Sequence, residues 1–369
     1  MTYPRYTALA QTLPASVPFV GPEAQERARG ARFDARLGAN ENGFGPAPAV
    51  LEAIKAHAHE AWMYGEPESY ELRSAIADHH GAARENIVVG EGIDGLLGYV
   101  VRLVVGAGDA VVTSDGAYPT FNYHVAGFGG VLHKVPYKGD FEDPDALLAK
   151  AREVDAKLVY LSNPDNPMGT YISAKAIEAM IEGLPAGCLL ILDEAYVEFA
   201  PQDAIPDIAI DHPAVIRMRT FSKGYGLAGM RVGYAMGAPE LILAFEKIRN
   251  HFGMNRIAQI AALAALKDQA GLDAIKASVA EAKRRIAQIA AQNGLMHLPS
   301  ATNFVAIDCG GDDAFARRVL GELIARGIFV RMPFVAPQSR CIRVSCGPEV
   351  ELQRFEQALP EALKAARSV

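Results

Sequence analysis

Cys188-Leu-Leu-Ile-Leu-Asp193-Glu194-Ala195-Tyr196 is an unbroken apolar run that ends abruptly in two carboxylates. Apolar residues in succession, without alternation, fit a strand covered on both faces, as in a parallel sheet. Six other short runs share this character, at 86–90, 109–113, 131–135, 157–162, 215–219 and 232–236. Helix-length segments such as 95–105, 143–154 and 173–183 separate most of them. The alternation predicts an α/β fold built on a mostly parallel, seven-stranded sheet flanked by helices.

Ligands of open α/β sheets bind at the carboxyl ends of the strands, and four polar groups fall there. Asp193 is the first. A carboxylate at the tip of a buried strand is costly unless a cation or strong donor meets it; an Asp capping the next element is the alternative. The second is Asn163-Pro-Asp-Asn166-Pro-Met-Gly169, a stiff turn that either presents the Asn166 amide from a set position or is simply a tight loop. The third is Thr220-Phe-Ser222-Lys223-Gly-Tyr-Gly-Leu-Ala-Gly229-Met-Arg231. A lysine among small and apolar residues is partly desolvated, which lowers its pKa and makes it a nucleophile for carbonyl carbon. Arg231 adds a permanent bidentate donor for an anion, and Thr220 and Ser222 add hydroxyls. The fourth is Gly90-Glu-Gly92-Ile93-Asp94-Gly95, where a strand gives way to a helix whose free amides suit a phosphate. It lacks the dinucleotide and Walker patterns and could equally be a plain glycine turn.

Beyond about residue 255 the pattern changes. Segments 257–267 and 274–292 read as Ala-rich helices with no strand between them, followed by a strand at 303–308, a helix at 313–326, strands near 328–330 and 341–345, and a last helix. This divides the chain into an irregular N-terminal arm (1–45), a large domain (46–270) and a smaller α+β domain (271–369). The arm is expected to pack on the small domain or on a partner subunit.

A length of 369 residues, half of them hydrophobic, describes a globular enzyme rather than a fibrous or disordered chain. A net charge of −7 argues against nucleic acid or an anionic membrane as main partner, so a phosphate-bearing ligand needs local donors. Cys188, Cys309, Cys341 and Cys346 form no paired spacing and fit a reducing cytoplasm. His57 and His59 face different ways on a helix and His79–His80 sit near a helix end, so no metal site is expected. No segment reads as a signal or a membrane span.

Taken jointly, Asp193-Glu-Ala-Tyr196, Ser222-Lys223 and Leu227-Ala-Gly-Met-Arg231-Val-Gly-Tyr234 resemble the core of the fold-type I aminotransferases that use pyridoxal 5′-phosphate (PLP). With Leu37-Gly-Ala-Asn40-Glu-Asn42-Gly-Phe-Gly45-Pro46, Asn163–Gly169, Gly327-Ile-Phe-Val-Arg331 and Cys341-Ile-Arg343-Val-Ser345, the order is most similar to the histidinol-phosphate aminotransferase group. The resemblance runs from about residue 37 to the C-terminus. It implies that Lys223 holds PLP as an imine, that Asp193 keeps the pyridine nitrogen protonated, and that Tyr196 and Asn166 contact the phenolic oxygen. It also implies a phosphate cradle of Gly92, Ile93, Asp94, Thr220, Ser222 and Arg231. Phe121 would stack on the ring, with Tyr123 as substitute. Tyr64 would reach the phosphate of a neighbouring subunit, which makes the chain a homodimer with shared sites. Arg343 would bind the substrate α-carboxylate and Arg331 its distal end. Arg256 stands where the group usually has a small or apolar residue; it either helps Arg331 read that end or forms a surface salt bridge.

Histidinol phosphate, with 2-oxoglutarate and glutamate as co-substrate pair, is the leading expectation. The same cofactor residues would also serve aromatic or other amino acids, or decarboxylation of a phosphorylated amino acid. A non-catalytic PLP-fold regulator is disfavoured by the intact Lys223, Asp193 and Arg231.

Overall fold

The computed structural model describes residues 4–15 and 20–368. The seven expected strands all form: β1 (Ile87–Gly90), β2 (Ala110–Ser114), β3 (Val131–Val135), β4 (Leu158–Ser162), β5 (Leu189–Asp193), β6 (Val215–Thr220) and β7 (Gly233–Met236). They lie in the order β1-β7-β6-β5-β4-β2-β3. Five run parallel, from β3 across to β6, and β7 is antiparallel to both of its neighbours. The reversal follows from connection length. The link from β6 to β7 holds only a short 3-10 turn, Ala228–Met230, whereas a parallel return needs a longer crossover, usually a helix. β4 and β5 are buried throughout, the consequence of helices on both faces.

Register sets the level of the site. Ser162 pairs with Asp193, and Asp193 with Met218, so β4 and β5 end together and β6 continues two residues beyond them to Thr220. Helix α1 (Gly92–Val104) returns from β1 and buries Leu96, Leu97, Val100 and Val101 completely against the sheet. That spacing of one and three residues is one face of a helix. Each such side chain contributes about 1.5–3 kcal/mol of burial, and together they fix the α1 N-terminus at the sheet's carboxyl edge.

Helix α2 (Gln269–Gln292) carries the chain from one core to another. Leu272 packs with the large-sheet cluster, whereas Ile275, Val279, Ala282, Ile286 and Ile289 belong to a second cluster with residues 305–366. Their spacing of four and three residues forms a single stripe along the helix. The second core is built on an antiparallel sheet of Met296–His297, Phe304–Asp308 and Cys341–Ser345. Ala35 and Leu37 join it, and Ala35–Arg36 pairs in parallel with Ile328–Phe329.

The N-terminal segment differs from the irregular arm expected of it. It contains helices Ala8–Thr12 and Pro22–Arg29 as well as strand Ala35–Arg36. The second has Pro22 at its first turn and Gly30 in the left-handed conformation at its end, punctuation that starts and stops a helix. Residues 16–19 and the first three lie outside the described part. Among the described residues no helix is long and apolar enough to cross a membrane.

Candidate active site

A cavity of about 440 Å³ opens where the carboxyl ends of β4, β5 and β6 meet Arg331, Phe334 and Arg343. Lys223, Arg231, Arg331 and Arg343 line it, against Glu41, Asp94 and Asp193. The cavity is therefore locally cationic in an acidic protein, as an anionic ligand requires.

Asp193 forms the floor. Its Oδ2 accepts from the Tyr160 hydroxyl at 2.7 Å and its Oδ1 from the Ala195 amide at 3.0 Å. Burial nevertheless wins, and pushes the carboxyl up to about 6. A cationic N–H placed against it would relieve that cost. Lys223, on the turn after β6, shows the complementary effect: burial, reinforced by Arg343, lowers its amine to about 8. Its Nζ donates to the Asn40 carbonyl oxygen at 2.9 Å. The shift is toward the neutral amine, the form that attacks an aldehyde.

The phosphate cradle gathers at one end. Ile93 and Asp94, in the first turn of α1, line the cavity with Thr220, Ser222 and Arg231. Gly92 has φ +80°, and a Cβ there would stand 2.6 Å from Arg231 Nη2. A Cβ on Gly233 would stand 2.8 Å from the Ile93 nitrogen. Both positions are glycine because backbone and guanidinium close to this distance around the helix N-terminus. Thr220 Oγ1 accepts from the Ser222 amide at 3.1 Å and lies 3.0 Å from its hydroxyl, fixing Ser222 at the cavity wall.

Opposite the cradle, Asn166 accepts from Arg343 Nη1 through its Oδ1, which leaves the Nδ2 end to donate to an acceptor in the cavity. Burial lowers Arg343 to about 10, and its Nε is buried without a protein partner. An anion delivered to that guanidinium would complete it. Arg331 is joined to Arg343 by an antiparallel bridge, and its Nη2 donates to the Val20 carbonyl at 2.9 Å. Tyr196 is buried with its phenol held above the usual range by desolvation.

Three expectations require comment. Phe121 does not reach the cavity: it is fully buried and stacks on Tyr160, ring centroids 4.6 Å apart. The helix Pro119–Gly127 turns Phe121 and Val125, four residues apart, onto the sheet, while Tyr118 at its N-cap lines the cavity. Of the aromatic residues in this stretch Tyr118 is the one on the cavity wall, and Tyr123 is solvent-exposed. Arg256 lies outside the cavity wall and pairs through Nε with Glu60 at 2.5 Å. Tyr64 is 80% exposed, packs on Phe252 and is absent from its own chain's cavity wall. Besides Tyr118, sequence reasoning missed Tyr160 and the role of Asn40. A tyrosine inside a fully buried strand must find an acceptor, and that signal pointed to Asp193.

These groups fit PLP part for part: an amine for its aldehyde, a carboxylate for its pyridine nitrogen, donors for its phenolic oxygen and a helix N-terminus with arginine for its phosphate. The family model of aminotransferase class I and II matches residues 35–359. The chain belongs to the class I and II aminotransferases. This aminotransferase is 54% identical to a histidinol-phosphate aminotransferase from Sinorhizobium meliloti whose crystal structure holds pyridoxal-5′-phosphate. The TM-score is 0.96 and 98% of each chain is covered. It is also 34% identical to histidinol-phosphate aminotransferase 2 of Carboxydothermus hydrogenoformans over 346 residues, 93% of this chain and 94% of the relative. To the Moorella thermoacetica histidinol-phosphate aminotransferase it is 31% identical, over 92% of this chain and 88% of that one. The α/β fold is that of the fold-type I aminotransferases. Among the described residues no cluster of His, Cys, Asp or Glu could hold a metal ion.

Proposed function

We propose that this aminotransferase moves the amino group of histidinol phosphate to 2-oxoglutarate, with PLP carried on Lys223. The observation that supports it most is the Arg331–Arg343 pair, two arginines whose backbones are bridged and which both line one cavity with Lys223. Glutamate offers two carboxylates to such a pair, and histidinol phosphate offers a phosphate, so one wall serves both half-reactions. Strong similarity to proteins named for histidinol phosphate supports the same substrate.

When bound, PLP supplies an aldehyde for the amine and a ring that accepts electrons from the substrate α-carbon. The protein does the rest. Ile93, Asp94, Ser222 and Arg231 anchor the phosphate and so fix the ring's position. Asp193 keeps the pyridine nitrogen protonated. Tyr196 and Asn166 donate to the phenolic oxygen, and Tyr118 covers the ring. Lys223, as a free amine, would act as the base that takes the proton from the substrate α-carbon and, as an ammonium, as the acid that gives it back. Its lowered pKa suits both directions of that exchange. Arg343 orients the α-carboxylate of glutamate, and Arg331 holds the γ-carboxylate or phosphate.

We read residues 1–45, 46–270 and 271–369 as arm, large domain and small domain, which the change of core along α2 supports. The working unit is a cytoplasmic homodimer: Trp62, Tyr64 and Phe252 are largely exposed, and a second copy would cover them and receive Tyr64 at its phosphate cradle.

Adding histidinol phosphate to the PLP-loaded protein should bleach the visible band of the lysine-bound cofactor, and 2-oxoglutarate should restore it. Bleaching only by another amine would replace the substrate, and release of carbon dioxide without an oxo product would replace transamination.

A further inference from the structure

Asn40 joins the N-terminal segment to the reacting groups and has a conformation that needs explaining. It is 3% exposed and holds φ +54°, a left-handed conformation that costs most side chains. Its carbonyl accepts from Lys223 Nζ and, at 3.2 Å, from Asn303 Nδ2. Its amide N–H donates to Ser345 Oγ at 3.0 Å, and Ser345 Oγ lies 3.2 Å from Asn40 Oδ1. Its Nδ2 donates to the Tyr196 phenolic oxygen at 3.0 Å.

The hydrogen bonds run in one direction along this chain. The Ser345 hydroxyl accepts from the Asn40 backbone N–H and donates its single hydrogen to Asn40 Oδ1. With Oδ1 so engaged, the amide presents Nδ2 to Tyr196. With Asn40 donating to it, the phenol's own hydrogen has to point elsewhere, and the cavity is what Tyr196 lines. We propose that Asn40 is a positioning residue that, with Ser345, sets the hydrogen-bond direction of Tyr196, so that its O–H donates to the phenolic oxygen of PLP. The inference rests on the reading of Tyr196 as a contact of that oxygen.

Donation to the phenolic oxygen disfavours protonation of the neighbouring cofactor–lysine linkage. The pH midpoint of the visible band in the loaded protein therefore reads it, without turnover. Tyr196→Phe should raise the midpoint by about one to two pH units, as for loss of one hydrogen bond to a charged group. Asn40→Gly tolerates the left-handed backbone, retains the carbonyl used by Lys223 and removes only the amide. It should raise the midpoint by at least half as much. Ser345→Ala frees the amide to flip and should shift it in the same direction by less, a reading that stands if the Asn40 variant does not fold. In the Tyr196→Phe background, Asn40→Gly should add nothing further, because its effect passes through the phenol. An unchanged midpoint in both Asn40→Gly and Ser345→Ala, even with a lower melting temperature, would overturn the inference, as would additive shifts in the double variant. An unchanged midpoint in Tyr196→Phe would remove the Tyr196 reading itself, and this inference with it.

Discussion

Replacing Asp193 with asparagine should make the cofactor-free protein more stable while removing its activity. The native carboxyl accepts two hydrogen bonds and is still raised to about 6 from a reference of 3.8. A folded-state pKa above the unfolded one means that folding favours the protonated form. The resulting cost is absent well below pH 4, grows as the pH rises, and levels off above 6 at about 3 kcal/mol. Asparagine avoids it without stranding a polar group. Its Oδ1 can accept from the Ala195 amide, and its Nδ2 can donate to Tyr160, whose hydroxyl turns to accept. Denaturant unfolding of the two cofactor-free proteins should therefore differ by about 1–3 kcal/mol in favour of the variant at pH 8, and by about half as much at pH 5. The same variant should lose the half-reaction with amine by at least about a thousandfold, since a neutral amide does not hold the pyridine nitrogen protonated. A variant less stable than native at pH 8, or a difference independent of pH, would refute the reasoning.

Phe121→Ala should cost about 3–5 kcal/mol of stability through the cavity it leaves, while Tyr118→Ala should cost little stability but weaken PLP retention; unfolding and dialysis measure the two, and the opposite pattern would restore Phe121 to the ring. Arg331→Ala should raise KM for histidinol phosphate and for 2-oxoglutarate by about ten- to a hundredfold, the loss of charged hydrogen bonds, whereas Arg256→Ala should leave both within about twofold. Steady-state kinetics with each substrate would expose an error in either assignment.

The sheet was legible almost strand by strand because each strand is a short apolar run between turn signals, and periodicity reports burial directly. The antiparallel direction of β7 was not marked by its apolar run; it follows from the short connection that precedes it. Asp193 was legible for a related reason, since charge at the end of an apolar run is expensive and needs a cause; Lys223 and Arg231 were legible because the lysine lies among small and apolar residues with a permanent anion donor eight residues on. Side-chain direction within a helix was not. Phe121 and Tyr118 are three residues apart and equally aromatic, and only the packing of Phe121 with Val125 shows which one enters the core. Arg256 forms the surface salt bridge that was one of its two readings, but a guanidinium in the sequence carries no mark of its partner, here Glu60, almost two hundred residues away. Asn40 escaped notice because its importance lies in hydrogen-bond direction, which appears only once Ser345, Tyr196 and Lys223 are brought together from three distant segments.

The central claim is that Lys223 carries the cofactor, and borohydride reduction of the PLP-loaded protein tests it most directly. Reduction fixes the cofactor to the lysine that holds it, and peptide mass analysis then identifies that lysine. The account predicts the phosphopyridoxyl mass on the peptide containing Lys223, stoichiometric with bound cofactor and absent from Lys223→Ala. The same mass on a different lysine, or a Lys223→Ala protein that is still labelled and still turns over, would contradict it.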